Sequence, residues 1–347
     1  MAEKLIAKKD LVELLNSLAR AGKTLVAPVE EGGFFVFRKV EDAKDAAVGP
    51  GIKPRFSFKE FLFPKSEAIL RYRITHDGLE VEDVERKPEE LVIFGARPCD
   101  AASLRVLDLL FTKDYTDPFY ASRRERTTVI SVACLEPLAE CFCTSVGLSP
   151  DATAGADILL TEISPDSFLV DILTEKGKRL FEGKEALLKD TDKTRNEVIE
   201  AAKKKMQRKA NLSATRDVVM RAFERKDLWG ALGLRCLQCG LCAFVCPTCH
   251  CFDIVDEGTA TCGVRRKNWD SCGFEMCTLH TSGHNPRPSQ SERCRQRLMH
   301  KFSYFAQRFG VTMCVGCGRC GMLCPVGIDI YEGAVGAASA EPEGVSK

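Results

Sequence analysis

The first 98 of the 347 residues contain no cysteine, although the chain has 18. Long apolar runs are missing as well. Stretches such as LVIFGA (Leu91–Ala96) fall far short of the ~20 residues that a membrane span needs. The opening MAEKLIAKKDLVELL lacks the apolar core and small-residue cleavage site of an export signal, so a cytoplasmic protein is expected. Neither sign of charge is in excess: 50 Lys and Arg stand against 49 Asp and Glu, for a net charge of +1. Such a chain has no overall field to recruit nucleic acid or an anionic membrane, and it lacks a basic, aromatic-rich stripe. No Gly-x-Gly-x-x-Gly follows a strand and no Walker loop is present, so flavin and nicotinamide are expected on a partner subunit. Histidine is sparse, with His76 isolated in a charged stretch and His300 in an Arg/Lys-rich helix.

Cysteine is what the chain has in excess. A reducing compartment, and a length that allows about two domains with cores of their own, argue against a disulfide framework. The thiols are expected to bind metal or do redox chemistry. Four lie between Cys99 and Cys143 and fourteen between Cys236 and Cys324.

The fold class expected is α+β. Residues 1–185 read as an α/β domain, 186–228 as a charged helical linker, 229–335 as a helical ferredoxin-like domain and 336–347 as a disordered tail. KKDLVELLNSLARAG places Leu11, Leu14, Leu15 and Leu18 on one helical face, with Gly22 as a stop. TLVAPVEEGGFFVFRKV reads as two strands around a Glu-Gly-Gly turn. ELVIFG, then CDAASLRVLDLLF with Asp100 as its N-cap, then TTVISVA, form a βαβ unit with parallel strands. ADILLTEISPDSFLVDIL is a hairpin around Ser-Pro-Asp-Ser. The Lys-rich NEVIEAAKKKMQRKA suits an acidic partner surface or, more simply, a solvated helix. SERCRQRLMHKFSYFAQRFG is a long helix with Ser291 as its cap.

Two segments repeat: CLQCGLCAFVCP (Cys236–Pro247) and CVGCGRCGMLCP (Cys314–Pro325). C-x2-C-x2-C-x3-C-P twice over is the ligand pattern of two [4Fe–4S] clusters, in which each fourth cysteine serves the other cluster. Cys236, Cys239, Cys242 and Cys324 are therefore assigned to one cluster, and Cys314, Cys317, Cys320 and Cys246 to the second. Gly240 and Gly318 let backbone approach the inorganic core, and Pro247 and Pro325 end each loop. Structural zinc uses four ligands from paired knuckles, which fits eight cysteines in two Cys-Pro-closed runs poorly. Sixty-seven residues separate Cys246 from Cys314, and the second half of that insert is helical in pattern.

Cys99 and Cys134 each follow a strand of the βαβ unit, so parallel strands bring both thiols to one sheet edge, where α/β folds place ligands. CLEPLAECFC loops back with Cys141 and Cys143. A third [4Fe–4S] cluster is expected there, beside a helix N-terminus that favours an anionic group. Buried apolar thiols or a redox dithiol are the alternatives. Cys249, Cys251 and Cys272 suit either a fourth metal site, which a histidine such as His250, His280 or His284 would complete, or packing around the cluster that Cys246 helps to hold. Cys277 and Cys294 sit in helical patterns and read as packed thiols, and Cys262 is unassigned.

The segments GARPCDAASLRVLD, CLEPLAECFCTSVG, CLQCGLCAFVCPTCHCFD, RRKNWDSC, SGHNPRPSQSERCRQRLMHKF and CVGCGRCGMLCP span nearly the whole chain. In them the protein resembles the iron–sulfur electron-transfer subunits of anaerobic sulfite reductases and the β subunit of sulfhydrogenase-type nickel–iron hydrogenases. Similar subunits accompany heterodisulfide-reductase-like complexes. The resemblance implies an electron-transfer subunit without a catalytic centre of its own. It would relay electrons between a flavoprotein subunit that oxidises NAD(P)H, carrying FAD, and a catalytic subunit of the hydrogenase, sulfite reductase or heterodisulfide-reductase type. It also lends support to the cluster at Cys99, Cys134, Cys141 and Cys143. A catalytic reductase of sulfite, polysulfide or a disulfide, acting at a cysteine-bound cluster, is the competing expectation.

Overall fold

The computed structural model describes residues 3–84, 88–213 and 215–339. Its larger sheet has eight strands: β1 (Lys4–Ala7), β2 (Thr24–Glu31), β3 (Phe34–Lys39), β6 (Leu91–Ala96), β7 (Thr127–Val132), β8 (Ile158–Ser164), β9 (Ser167–Ile172) and β10 (Lys189–Asp190), in the order β10-β1-β9-β8-β7-β6-β2-β3. The four central strands β2, β6, β7 and β8 are mutually parallel, and the outer pairs are antiparallel. Every residue of β6 is buried. This is the continuous apolar run expected of a strand covered on both faces. Val92 and Phe94 face the Lys8–Arg20 helix through Leu11, Leu14 and Leu15. Ile93 faces the Pro98–Thr112 helix through Leu104, Leu107 and Phe111. The βαβ unit is thus as its periodicity implies, and both of its strands end at one edge.

A second, antiparallel sheet has the order β11-β12-β4-β5, with β4 at Ser66–Thr75, β5 at Gly78–Asp83, β11 at Phe252–Gly258 and β12 at Cys262–Trp269. Its β12/β4 ladder joins strands from the two parts of the chain that composition separates. The helical part has a core of Trp229, Leu298, Met299, Phe302, Ile330, Ala334 and Ala337. Phe142, from between Cys141 and Cys143, inserts into it. Among the described residues, no helix is long and apolar enough to cross a membrane.

Several expectations need correction. Asp100 is not the N-cap of its helix: Arg97 holds that position without a side-chain cap, and Asp100 lies in the first turn. The cap of the later helix is Ser289, not Ser291. Ser289 Oγ accepts from the Glu292 amide and the Glu292 carboxylate accepts from the Ser289 amide, a complete capping box. That helix runs through Gln290–Met299, a π turn at His300–Tyr304 and Phe305–Phe309. The charged linker is broken into helices at Asn196–Lys205, Arg216–Arg221 and Lys226–Gly233. The first of these buries Ile199 against Ala133 and Leu159 while Lys204 and Lys205 stay exposed. Helix Ile330–Ala338 takes in the start of the segment expected to be disordered; residues 340–347 lie outside the described residues.

Asp100 has a different partner. Arg319, between Cys317 and Cys320, meets its carboxylate with two parallel N–H···O bonds of 2.5 and 2.8 Å, and its Nε donates to the Pro54 carbonyl at 2.9 Å. Both side chains are 0% exposed. A buried bidentate pair stabilises little in net terms, because desolvation offsets most of the attraction. Breaking it from one side strands a charge in the interior. Asp100→Leu is therefore expected to lower unfolding stability by about 3–5 kcal/mol, and adding Arg319→Met is expected to recover most of that loss. Denaturant unfolding of the two variants under anaerobic conditions checks this.

Candidate metal centres

The first ferredoxin loop turns at Gly240 (φ +71°), which starts the short Leu241–Phe244 helix. Cys236, Cys239 and Cys242 line a cavity of about 80 Å³, and Cys324 reaches it from the second loop. Cys294 and Cys320 also line this cavity. Contact with Cys294 lowers the Cys236 thiol to about 6, against the opposing effect of burial. Arg297 borders the same space. One of its terminal nitrogens donates to the Cys242 carbonyl at 3.0 Å, while its buried Nε has no partner. An orphaned guanidinium N–H facing a thiol-lined cavity suits an anionic group held by those thiols.

Cys246, Cys314 and Cys320, the last of which also lines this cavity, are electrostatic neighbours. Burial pushes the Cys314 thiol up to about 12 and Cys320 to about 11. Left as free thiols they stay protonated at neutral pH, so metal binding here must release protons. The π turn presents Lys301 to them. Its Nζ lies 3.2 Å from Cys246 Sγ and 3.1 Å from Thr248 Oγ1. Burial alone would lower this ammonium, but the Cys246 and Cys249 sulfurs outweigh it and hold it raised.

At the carboxyl edge of β6 and β7, Cys99, Cys134, Cys141 and Cys143 line a second cavity, of about 30 Å³, and Cys317 of the second ferredoxin loop lines it with them. Burial raises Cys99 and Cys134 and pushes Cys143 up to about 12. Lys53 Nζ donates to Cys141 Sγ at 3.1 Å and also to the Cys317 carbonyl. Burial would lower the Lys53 ammonium, but Cys141 and Cys317 leave it raised. Arg97 lines the cavity with its guanidinium tied to the Gly49, Ile52 and Ala133 carbonyls.

Cys249, Cys251 and Cys272 are brought together beside Cys246. Cys249 interacts directly with Cys246, Cys251 with Cys272, and the Cys249 sulfur is felt at Cys272. Lys59 closes this group: its Nζ donates to the Cys249 carbonyl at 2.8 Å and sits 3.8 Å over the Trp269 ring. Burial lowers that ammonium to about 8. Cys277, read from sequence as a packed thiol, bonds Asp270 and lies within electrostatic reach of Cys251. Cys262 is exposed at the start of β12. His250 is turned to the Thr248 carbonyl at 3.0 Å with its ring against His300, and burial lowers it to about 3. His280 and His284 pair with each other on the surface.

Among the described residues, no group of three or more His, Cys, Asp or Glu side chains is arranged to hold a single metal ion. In the two cavities the thiols are set around a space and do not converge on one point. That donor set fits the polynuclear core of an iron–sulfur cluster better than tetrahedral zinc. The residues missed from the sequence are the cations: Lys53, Lys59, Arg297, Lys301 and Arg319. The one signal for them was a charge inside an apolar or cysteine-rich run, as in LMHKFSYF and CGRC.

Comparison with known proteins agrees with this chemistry. Residues 235–328, which hold both ferredoxin motifs, match the family model of the 4Fe-4S dicluster domain. The chain is also 29% identical over 324 residues to sulfhydrogenase 2 subunit beta of Pyrococcus furiosus, covering 91% of this chain and 92% of that protein. No solved structure matches it.

The second ferredoxin loop is fitted tightly to the Cys141–Cys143 loop. The Phe142 amide donates to the Gly316 carbonyl at 2.8 Å, and a Cβ on Gly316 (φ +62°) would stand 2.5 Å from Cys143 backbone. Gly316→Ala is therefore expected to expel iron from the anaerobically purified protein. Gly310→Ala, also at positive φ (+74°) but with open space around it, is expected to keep the full iron content with a stability loss of about 1–2 kcal/mol. Iron assay and thermal melting distinguish the two.

Proposed function

We propose that this homologue of the sulfhydrogenase beta subunit, an iron–sulfur electron-transfer protein with a 4Fe-4S dicluster domain, carries three [4Fe–4S] clusters in one continuous relay. Cys236, Cys239, Cys242 and Cys324 hold the first cluster, Cys246, Cys314, Cys317 and Cys320 the second, and Cys99, Cys134, Cys141 and Cys143 the third. Each such cluster, when bound, takes up and releases one electron with little rearrangement. The observation that carries the reading is the position of Cys317. It is a ligand of the second cluster that lines the cavity of the third, with Cys99 packed beside it.

The chain's own residues account for the rest. The Cys239 loop is exposed, so the first cluster lies nearest the surface, while Cys246 and Cys317 are buried. Lys53 and Lys301 offset the negative charge of the thiolate-held cores and raise the tendency of those cores to accept an electron. The relative is named as a subunit of a sulfhydrogenase, which supports a multisubunit setting; partners of two kinds are proposed on the sequence resemblance. One is a flavoprotein subunit that oxidises NAD(P)H; the other is a catalytic redox subunit of the hydrogenase, sulfite reductase or heterodisulfide-reductase type. This subunit passes electrons between them without a substrate site of its own.

Two measurements test the proposal. In EPR of the reduced protein, Cys236→Ser and Cys324→Ser are expected to alter one and the same signal, and Cys246→Ser a different one. If Cys324→Ser tracks with Cys314→Ser instead, the crossed assignment is wrong. The isolated protein supplied with reduced viologen is expected to take up electrons without reducing sulfite or polysulfide. Turnover without any partner would favour the catalytic reading.

A further inference from the structure

Among the described residues, five cations have buried head groups at thiol clusters and make no ion pair with a carboxylate: Arg297, Lys301, Lys53, Lys59 and Arg97, the last tied to three backbone carbonyls beside Lys53 at the third cavity. By contrast, Arg319 is paired with Asp100, and Lys267 with Glu67 and Asp117. A cation without a counter-ion is costly in the interior, so something anionic must face it. Arg297 borders the cavity of the first cluster, Lys301 touches Cys246 of the second, and Lys53 touches Cys141 of the third. Lys59, only 4% exposed, is left over.

What Lys59 faces is the remaining thiol group. Its ammonium bonds the Cys249 carbonyl and rests on Trp269, which leaves donor capacity toward Cys249 and Cys251. Cys251 lies immediately before β11 and Cys272 just after β12, so the hairpin returns the chain to its start and the two thiols meet. The Asp270 amide donates to the Cys251 carbonyl at 3.0 Å and fixes that closure. Cys249 approaches from the end of the first ferredoxin motif. Cys277, in the following turn, bonds Asp270 and lies within electrostatic reach of Cys251.

We propose that Cys249, Cys251, Cys272 and Cys277 bind a fourth [4Fe–4S] cluster, with Lys59 as its counter-cation. The fourth ligand is thereby a thiol and not a histidine, since His250 is turned away to the Thr248 carbonyl. The cluster would lie next to the second one, across the Cys246–Cys249 contact, and so form a branch of the relay. This inference rests on the reading of the chain as an iron–sulfur protein, and its test separates the two.

Iron and acid-labile sulfide are measured on the anaerobically purified full chain. About sixteen irons per chain are expected, at four per cluster. About twelve overturns the fourth site and leaves the three-cluster relay standing; well under twelve overturns both. Cys251→Ser/Cys272→Ser is expected to lose about a quarter of the iron while the EPR signals of the other three clusters persist. Undiminished iron, or a Cys251–Cys272 disulfide found by mass spectrometry in the anaerobic wild-type protein, contradicts the proposal. Lys59→Met leaves every thiol in place. It is expected to keep the iron and to shift downward the midpoint potential of the signal that the double variant lacks, with Lys59→Arg restoring it; unchanged midpoints count against the site.

Discussion

The Asp100–Arg319 pair is the contact on which the arrangement of the thiols depends. Asp100 directly follows Cys99, and Arg319 lies between Cys317 and Cys320. One bidentate contact therefore fixes the first turn of the βαβ helix against the second ferredoxin loop, with both charges fully excluded from water. Its net energy is small, but its geometric demand is high, because a planar guanidinium and a carboxylate meet edge to edge in one way only. The third bond of Arg319, to Pro54, brings in the loop that carries Lys53 and leads on to Lys59. The α/β part and the ferredoxin-like part, which also share the β12/β4 ladder, are thus held together at this point.

Charge balance is the second organising theme. The interior concentrates thiols that must be deprotonated to hold metal, and burial opposes that deprotonation, as the raised Cys143, Cys314 and Cys320 attest. Buried ammonium and guanidinium groups answer this. Lys53, Lys59, Lys301 and Arg297 each sit against sulfur or a cysteine carbonyl. Fixed positive charges at these places favour thiolate ligation during assembly and an added electron during turnover. The π turn at His300–Tyr304 has the same purpose: the extra residue in the turn aims Lys301 at Cys246.

What could be read from the sequence was what is local. Cysteine spacing within each ferredoxin motif, the apolar run of β6, and the 3.6-residue rhythm of Leu11, Leu14 and Leu15 each signal their own structure within a few residues. That Cys324 lines one cavity with the first loop accords with a motif whose fourth cysteine implies a partner. Asp100 was misread as a cap because its partner lies 219 residues away, and no local pattern distinguishes a capping carboxylate from one awaiting a distant guanidinium. The reading of Ser291 as the cap passes over the Ser-x-x-Glu spacing from Ser289 to Glu292. The β11–β12 hairpin went unseen because its stability comes from pairing with β4, across a separation that periodicity does not encode. The cations Lys53 and Lys59 carry no motif at all. They become functional only once the fold has buried them beside sulfur.

In the proposed relay, the α/β thiol site and the two ferredoxin sites form one conduit, joined where Cys317 lies beside Cys99. The most direct measurement is EPR of the fully reduced protein, compared with the protein reduced by fewer electron equivalents. Clusters this close are expected to broaden and split one another's signals as the second of each neighbouring pair is reduced. Sharp, independent signals that simply add as reduction proceeds would contradict the account.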